Sequence, residues 1–417
     1  MEHMKDFPFE YVKPFLPCFD LLKRSNVRIF TYNNSSFVSV YWHTFFLVPC
    51  AIGFYVSLSA NMYKVFSGDL DIVELAYIVP VYLVSTQGIL KTMTLTMNKS
   101  EINALINDLG TIWRRTGLSQ EQITKKDSLL KRLNFCNSVF CQLNIFGSWQ
   151  YILAPLLETI FRIFILKQET DFLLPFACFY PFDPTDNWII YIVIYLFEGY
   201  TMFHIVYVYL GAEILMITLC GHLSIELVLL RENLLRVKTT SNKNGTRDVT
   251  SGFNNKAPLD EGAEYGIDDI VRRHQKLIRL CQRLDNIFNT MIFRNLLTAT
   301  ITICFFGFVA KFSRGPTDMI NNFIGVVASI IPIFNLCYYG EMLAEASVSI
   351  ASASYESLWY ECSSSHQKAL VIIMLRAQRS CCLTSLKYAP ITLNTFSAVL
   401  STTWSYFSIA KSMYEED

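Results

Sequence analysis

The chain has 417 residues, 52% of them apolar and only 17% charged, against about 25% charged in an average soluble domain. Its 35 Lys+Arg balance 35 Asp+Glu, which excludes a cationic nucleic-acid binder, and a chain this apolar does not stay disordered. A polytopic membrane protein remains, the alternative being a very apolar soluble enzyme. Residues 1–10 carry no apolar core of signal-peptide length, so the N-terminus is expected to stay cytosolic. The 12 cysteines, among them Cys50, Cys141, Cys220, Cys304 and Cys337 inside apolar runs, lack zinc spacing and read as small buried thiols.

A helix needs about 20 apolar residues to cross the hydrocarbon layer. Seven stretches come close. The first, 36–59, has His43 as its only titratable side chain. The second, 72–90, has Glu74 at one end. The third, 133–157, is uncharged. The fourth runs from Trp188 to about Ser224 with Glu198, His204 and Glu213 embedded, too long for a straight span. The fifth, 295–310, is short, but 269–293 before it has apolar residues at near-helical spacing, predicting one long helix that protrudes into the cytosol. The sixth, 319–340, and the seventh, 388–410, are uncharged. Pro49, Pro80, Pro155 and Pro332 fall within spans, where each removes an amide donor. Pro390 separates a short apolar stretch, 369–375, from the last span, predicting a broken seventh helix.

With the N-terminus inside, the inner segments hold 28 of the 35 Lys+Arg, which favours that orientation and an extracellular C-terminus. The sequons at Asn33, Asn34, Asn98 and Asn244 are then all cytosolic and unused. The expected organisation is an all-α polytopic protein: a cytosolic segment 1–35, transmembrane helices 1–4 over 36–224, a cytosolic loop and helical anchor over 225–290, helices 5–6 over 291–340, a second anchor with the first half of helix 7 over 341–387, and its membrane half over 388–417. The segment 239–266, rich in Asn, Gly, Ser and Lys, reads as a mobile cytosolic loop. The outer loop 169–187 combines Pro with aromatics and reads either as a cover over an outward cavity or as a plain extracellular loop.

Chemistry finds little purchase. No phosphate loop, GxSxG elbow or HExxH occurs, and no His pair has metal-ligand spacing, so neither catalysis, cofactor nor metal is expected. An intramembrane ionisable residue is a functional candidate by default. Glu198 and His204 read as structural hydrogen-bonding groups or as polar ligand contacts. Lys387 reads as an ordinary cytosolic lysine. G-protein coupling is poorly supported: the third span ends Leu157-Glu158-Thr159-Ile160-Phe161-Arg162, without an acidic-Arg-aromatic triplet.

The C-terminal third carries a recognisable order: Tyr338-Tyr339-Gly340-Glu341, a Ser-rich stretch 346–355, Leu358-Trp359-Tyr360, Met374 to Arg379, Leu393 to Leu400 and Ser405-Tyr406-Phe407. This order and spacing resembles the insect odorant receptors, as do Tyr180-Pro181-Phe182-Asp183, Cys220-Gly221-His222-Leu223 and His274-Gln275. The second cytosolic loop is shorter than the family's co-receptor carries, so the chain looks like a ligand-tuned subunit. A gustatory-type channel is the alternative within the same architecture, disfavoured by Ser412 where that group has Gln. A metabotropic seven-helix receptor is the alternative from another class.

The resemblance implies a tetrameric, non-selective cation channel with a pore lined by the last helix, assembled with the odorant receptor co-receptor in the plasma membrane of olfactory dendrites. The hydroxyls along 388–410 suit a wetted wall without fixed charge, the alternative being hydroxyls that bond back to their own helix. By resemblance Ile409 matches a hydrophobic gate, with Thr402, Ser405 and Ser412 on the pore side. The resemblance also implies a small, volatile, apolar ligand in the outer half of the bundle. Candidates there are Tyr77 and Val81 in the second span, and Phe146, Trp149, Gln150 and Leu153 in the third. Tyr195, Glu198, Tyr200, Phe203 and His204 follow in the fourth, and Phe305 and Phe306 in the fifth. Membrane lipid is the expected surround; no nucleic acid is expected.

Overall fold

One helix, α7 (Trp188–Leu235), organises the chain; at 48 residues it is about 72 Å long, more than twice a bilayer's hydrocarbon thickness. It is apolar around its whole circumference, and such a helix is stable only when enclosed. In this computed structural model every residue from Leu210 to Leu227 is buried. The structure describes residues 4, 6–29, 37–68, 72–167, 172–236, 266–311 and 315–415. Asn33, Asn34, Asn244 and, but for Gly266, the loop expected at 239–266 lie outside them, as does the side chain of His43.

The helices that enclose α7 are α2 (Leu16–Arg24), α4 (Ile72–Met97), α6 (Gln120–Ile160), α8 (Ile267–Lys311) and α9 (Pro316–Glu356). The short α1 (Phe9–Val12) leads into α2, and α3 (Phe37–Phe66) packs on α4 and α7. α5 (Lys99–Ile112) joins α4 to α6, whose start is fixed by a reciprocal Ser119–Gln122 capping box. The last helix, α11 (Leu393–Glu415), packs on α8 and α9. The seven long helices α3, α4, α6, α7, α8, α9 and α11 match the seven expected stretches in order. Among the described residues, α3, α7, α8 and α9 carry windows long and apolar enough to cross a membrane by composition alone. The hydroxyl-rich α11 is not in that set, although it is 23 residues long.

The seventh helix is broken, as the sequence predicts, but by more than a proline. α10 (Ser364–Ala377) ends well before α11, and between them β1 (Thr384–Ser385) pairs antiparallel with β2 (Ala389–Pro390). Leu386 and Lys387 make the hairpin turn with φ of 49° and 67°. The boundaries drawn at 224, 290 and 340 fall inside α7, α8 and α9, so outer and inner regions share continuous helices.

The inner half of the bundle is ordered by buried polar contacts. α2 seats on α7 at Gly211, where a Cβ would stand 2.6 Å from the Leu22 side chain. The His222 ring lies among Tyr11, Phe15 and Trp113, its nitrogens 2.7 Å from the Thr218 carbonyl and 3.1 Å from the Tyr11 carbonyl. Glu226, fully buried, accepts from Arg273 of α8 and from the Arg114 backbone N–H. Lys126 pairs with Glu10 at 2.5 Å and donates to the Arg114 carbonyl at 2.6 Å. These bases are therefore paired, not merely solvated. The apolar face of 223–235 turns into its own protomer. Large exposed apolar side chains sit instead on and around α10, at Tyr355, Ile372, Leu375 and Tyr388.

Deeper still, Lys91 of α4 is 1% exposed and donates to Glu213 of α7 at 2.6 Å. Asn295 of α8 donates to the same carboxylate oxygen, and the Lys91 ammonium lies 3.4 Å from the centre of the Tyr209 ring. Sequence reading places Lys91 at the edge of a cytosolic segment; the structure buries it as the partner that the intramembrane Glu213 requires. Removing one partner of such a pair leaves an uncompensated charge, whereas replacing both with apolar side chains does not. Lys91→Met should lower stability by about 3–5 kcal/mol, and Lys91→Met/Glu213→Leu should recover most of it. Thermal unfolding of the detergent-solubilised protein measures both.

Candidate functional site

Five helices, α4, α6, α7, α8 and α9, leave a cavity of about 140 Å³ in the outer half of the bundle, and Phe176 of the outer loop covers it. Val81, Val84, Ile152, Phe176, Met202, Val206, Phe306 and Ile324 make its apolar wall. Gln87, Asn144, Ser148, Tyr151, Tyr209, Thr298, Thr302 and Ser329 bring polar groups to it, and among the described residues no Asp, Glu, Lys or Arg lines it. A volume near 150 Å³ is what a single aromatic ring occupies in an apolar cavity.

Three of the hydroxyl donors in this wall are spent. Ser148 donates to the Asn144 carbonyl at 2.8 Å, Ser329 to the Gly325 carbonyl at 2.8 Å and Thr298 to the Arg294 carbonyl at 2.7 Å. Asn144 uses one N–H on the Phe140 carbonyl at 2.9 Å, and Gln87 donates to the Thr298 hydroxyl. A hydroxyl that has given its one proton still presents acceptor lone pairs. Ser148, Thr298 and Ser329 therefore offer acceptors to an uncharged molecule that donates a hydrogen bond.

A second space of about 670 Å³ opens outward, lined by Asn61, Glu74, Tyr77, Glu158, Arg162, Asn321 and others. It shares Val81, Tyr151 and Phe176 with the inner cavity. Phe176 stacks on Tyr151 with centroids 5.6 Å apart and meets Phe54 edge-on at 5.6 Å. The loop that carries it is tied to α3 and α7. Ser57 donates to the Phe179 carbonyl at 2.6 Å, Asn61 to the Ala177 carbonyl at 2.6 Å and Tyr191 to the Leu173 carbonyl at 3.0 Å. Tyr180 donates to the buried Glu198 carboxylate at 2.8 Å. Burial first, and the Glu198 charge second, push the Tyr180 hydroxyl above its ordinary range, so it remains a donor.

The candidate residues separate accordingly. Val81 and Phe306 line the cavity, and Tyr77 lines the outer space. Phe305 packs with Tyr77 in a small cluster around Ala76, Phe308 and Val309. Phe146, Trp149 and Leu153 lie on the exposed face of α6, with Trp149 against Phe203 at 4.6 Å. Gln150 donates to Asn321 of α9, and the buried Tyr195 donates to the Ile152 carbonyl. Glu198 anchors the loop, and the His204 ring lies 4.3 Å from the Tyr200 ring, with its Nδ1 2.8 Å from the Tyr200 carbonyl. Sequence reading passed over the α9 wall of Ile324, Gly325, Ala328 and Ser329, and over Asn144, Gly147 and Ser148 on α6. The available signal was small and hydroxyl-bearing residues at helical spacing.

On α11, Thr402, Ser405, Ile409 and Ser412 fall within about 80° of one helical face, and all four are exposed in the protomer. Ser405 donates back to the Ser401 carbonyl at 3.0 Å and Ser412 to the Ile409 carbonyl at 2.9 Å. Their acceptor lone pairs face outward. Among the described residues, no group of His, Cys, Asp and Glu side chains is arranged to hold a metal.

The family model of the seven-transmembrane odorant receptors matches residues 71–404. Odorant receptor 85b of Drosophila melanogaster is 24% identical over 79% of this chain and 80% of its own length. Odorant receptor 67c of the same species is 23% identical over 78% and 77%. The insect olfactory receptor OR5 of Machilis hrabei, solved in complex with eugenol, superposes with a TM-score of 0.79 over 97% of this chain and 100% of that one, at 16% identity.

The loop anchor has a measurable consequence. Tyr180→Phe removes a donor from a buried carboxylate, which should cost about 1–3 kcal/mol. Limited proteolysis should cut at 172–187 faster in this variant than in the parent.

Proposed function

This chain belongs to the seven-transmembrane odorant receptor family, and from that premise we propose that it is the odorant-binding subunit of a ligand-gated cation channel, assembled with the odorant receptor co-receptor in the plasma membrane of olfactory dendrites. Members of this family are receptors rather than enzymes. The observation that carries the proposal is the uncharged, mostly apolar cavity enclosed by five helices under the outer loop. Such a site binds by desolvation and shape, with a few polar groups fixing orientation.

Volume and chemistry narrow the ligand. The cavity admits one ring with a short substituent. A carboxylate or ammonium would lose its hydration with no countercharge in the wall, a cost of several kcal/mol. A phenol or alcohol would donate to Ser148, Thr298 or Ser329. The ligand arrives through the outer space, past Val81, Tyr151 and Phe176.

The conducting wall is α11. Its exposed hydroxyl stripe offers oxygen to water and ions without a fixed charge, and Ile409 contributes to an apolar ring that closes the pore by dewetting. A small ligand has limited interaction energy, so the closed state lies within a few kcal/mol of the open one.

Current from the chain expressed with the co-receptor, in cells lacking G-protein signalling, tests the proposal. A panel of uncharged single-ring phenols, alcohols and ketones should contain openers, and carboxylate or amine analogues of equal size should be at least tenfold weaker. Ala328→Phe fills the cavity and should abolish the evoked current at normal surface abundance. A response retained in Ala328→Phe would place the ligand elsewhere. In the same cells Ile409→Ser should raise resting current several-fold; an unchanged resting current would remove Ile409 from the gate.

A further inference from the structure

α8 and α9 each carry part of the cavity wall and, further in, a hold on the segment that enters α11. On α8, Thr298 lines the cavity and Asp285 lies about 20 Å away by helical rise. On α9, Ser329 lines the cavity and Glu341 lies about 18 Å away. The two reaches are nearly equal and end on one continuous segment, Asp285 at the hairpin and Glu341 at the first residue of α11.

Three contacts make the hold. Asp285 accepts from the backbone N–H and the hydroxyl of Thr384, both at 2.7 Å, and pairs with Lys387 at 2.8 Å, so the hairpin is fixed to α8 at its first strand and at its turn. Glu341 Oε2 accepts from the N–H of Leu393, the first residue of α11, at 3.0 Å. That N–H has no partner within its own helix, and a carboxylate there complements the helix dipole. At Gly340 a Cβ would stand 2.6 Å from the Ile391 carbonyl oxygen, so α9 and the chain entering α11 touch backbone to backbone. Ile391 is itself held by its N–H on the Leu383 carbonyl at 2.9 Å.

We propose that Asp285 and the Gly340–Glu341 pair are positioning residues for channel opening. They tie the start of the pore helix and the hairpin before it to two packed helices that both line the ligand cavity, so a change in how α8 and α9 sit around the ligand is delivered to α11. The inference rests on the reading of α11 as the pore wall and of the cavity as the ligand site. Glu341 does not touch ligand or ions. It acts through the position of Leu393.

The test compares Glu341→Ala, Glu341→Gln and Gly340→Ala, with Glu345→Ala, an exposed neighbour one turn on, as control. Each variant is expressed with the co-receptor. Surface labelling scores assembly, and the thermal shift given by the strongest opener of the uncharged panel scores binding. Evoked and resting currents are then read per surface subunit. Glu341→Ala and Gly340→Ala should bind that opener within twofold of the parent yet lose at least tenfold of evoked current. Glu341→Gln, which keeps an acceptor oxygen for Leu393, should retain at least half, and Glu345→Ala should match the parent. Gly340→Ala probes the same contact without altering charge, so it decides the matter if Glu341→Ala does not assemble. Normal evoked current in an assembled Glu341→Ala or Gly340→Ala channel overturns the proposal, as does an equal loss in Glu345→Ala. If no panel member opens even the parent channel, it is the pore and cavity reading that fails, not the tie alone.

Discussion

Enclosure of α7 is the constraint on which the rest of the structure depends. A helix that is apolar on every side cannot face water, so its inner half must be wrapped by protein where the membrane no longer covers it. α2, α6, α8 and α9 do the wrapping, and Glu226 and His222 are buried with partners because they ride on that helix. Toward the outer side the enclosing helices leave the space that becomes the cavity. The buried Lys91–Glu213 pair lies against the Tyr209 ring, which lines that cavity.

From that enclosure follows a division of labour. α3 and the outer loop supply the cover, α7 the centre, and α8 and α9 the elements common to the cavity and α11. α11 contacts α8 and α9, which leaves its hydroxyl face open. On the proposed reading, a ligand of one ring has few contacts with which to favour the open state, and two stiff helices shared by cavity and α11 are an economical route of coupling.

Much of this was legible in the sequence because it depends on length and charge. The seven stretches, the inward extensions of α7 and α8 and the break before α11 all follow from how far apolar runs extend and where breakers stand. Helical phase was not legible in the same way. α6 is apolar on several faces, so Phe146 and Trp149 looked as suitable for a cavity as Asn144 and Ser148, yet the first pair lies on the exposed face and Ser148 lines the space. Aromatic size drew attention away from Gly325, Ala328 and Ser329, whose smallness is what leaves room. Lys91 was hidden because a lysine at the end of an apolar run reads as a membrane boundary. Only its pairing with Glu213 across two helices marks it as interior.

The central claim is that α11 lines a water-filled path whose opening is set by a ligand bound elsewhere in the bundle. Modification of Ser405→Cys by a charged thiol reagent applied from outside tests it most directly, with the parent channel as control for the native thiols. The account predicts that the reagent arrests evoked current in Ser405→Cys and spares the parent, with a rate at least tenfold higher while the channel is held open by ligand. Evoked current that survives the reagent in both channels would contradict it.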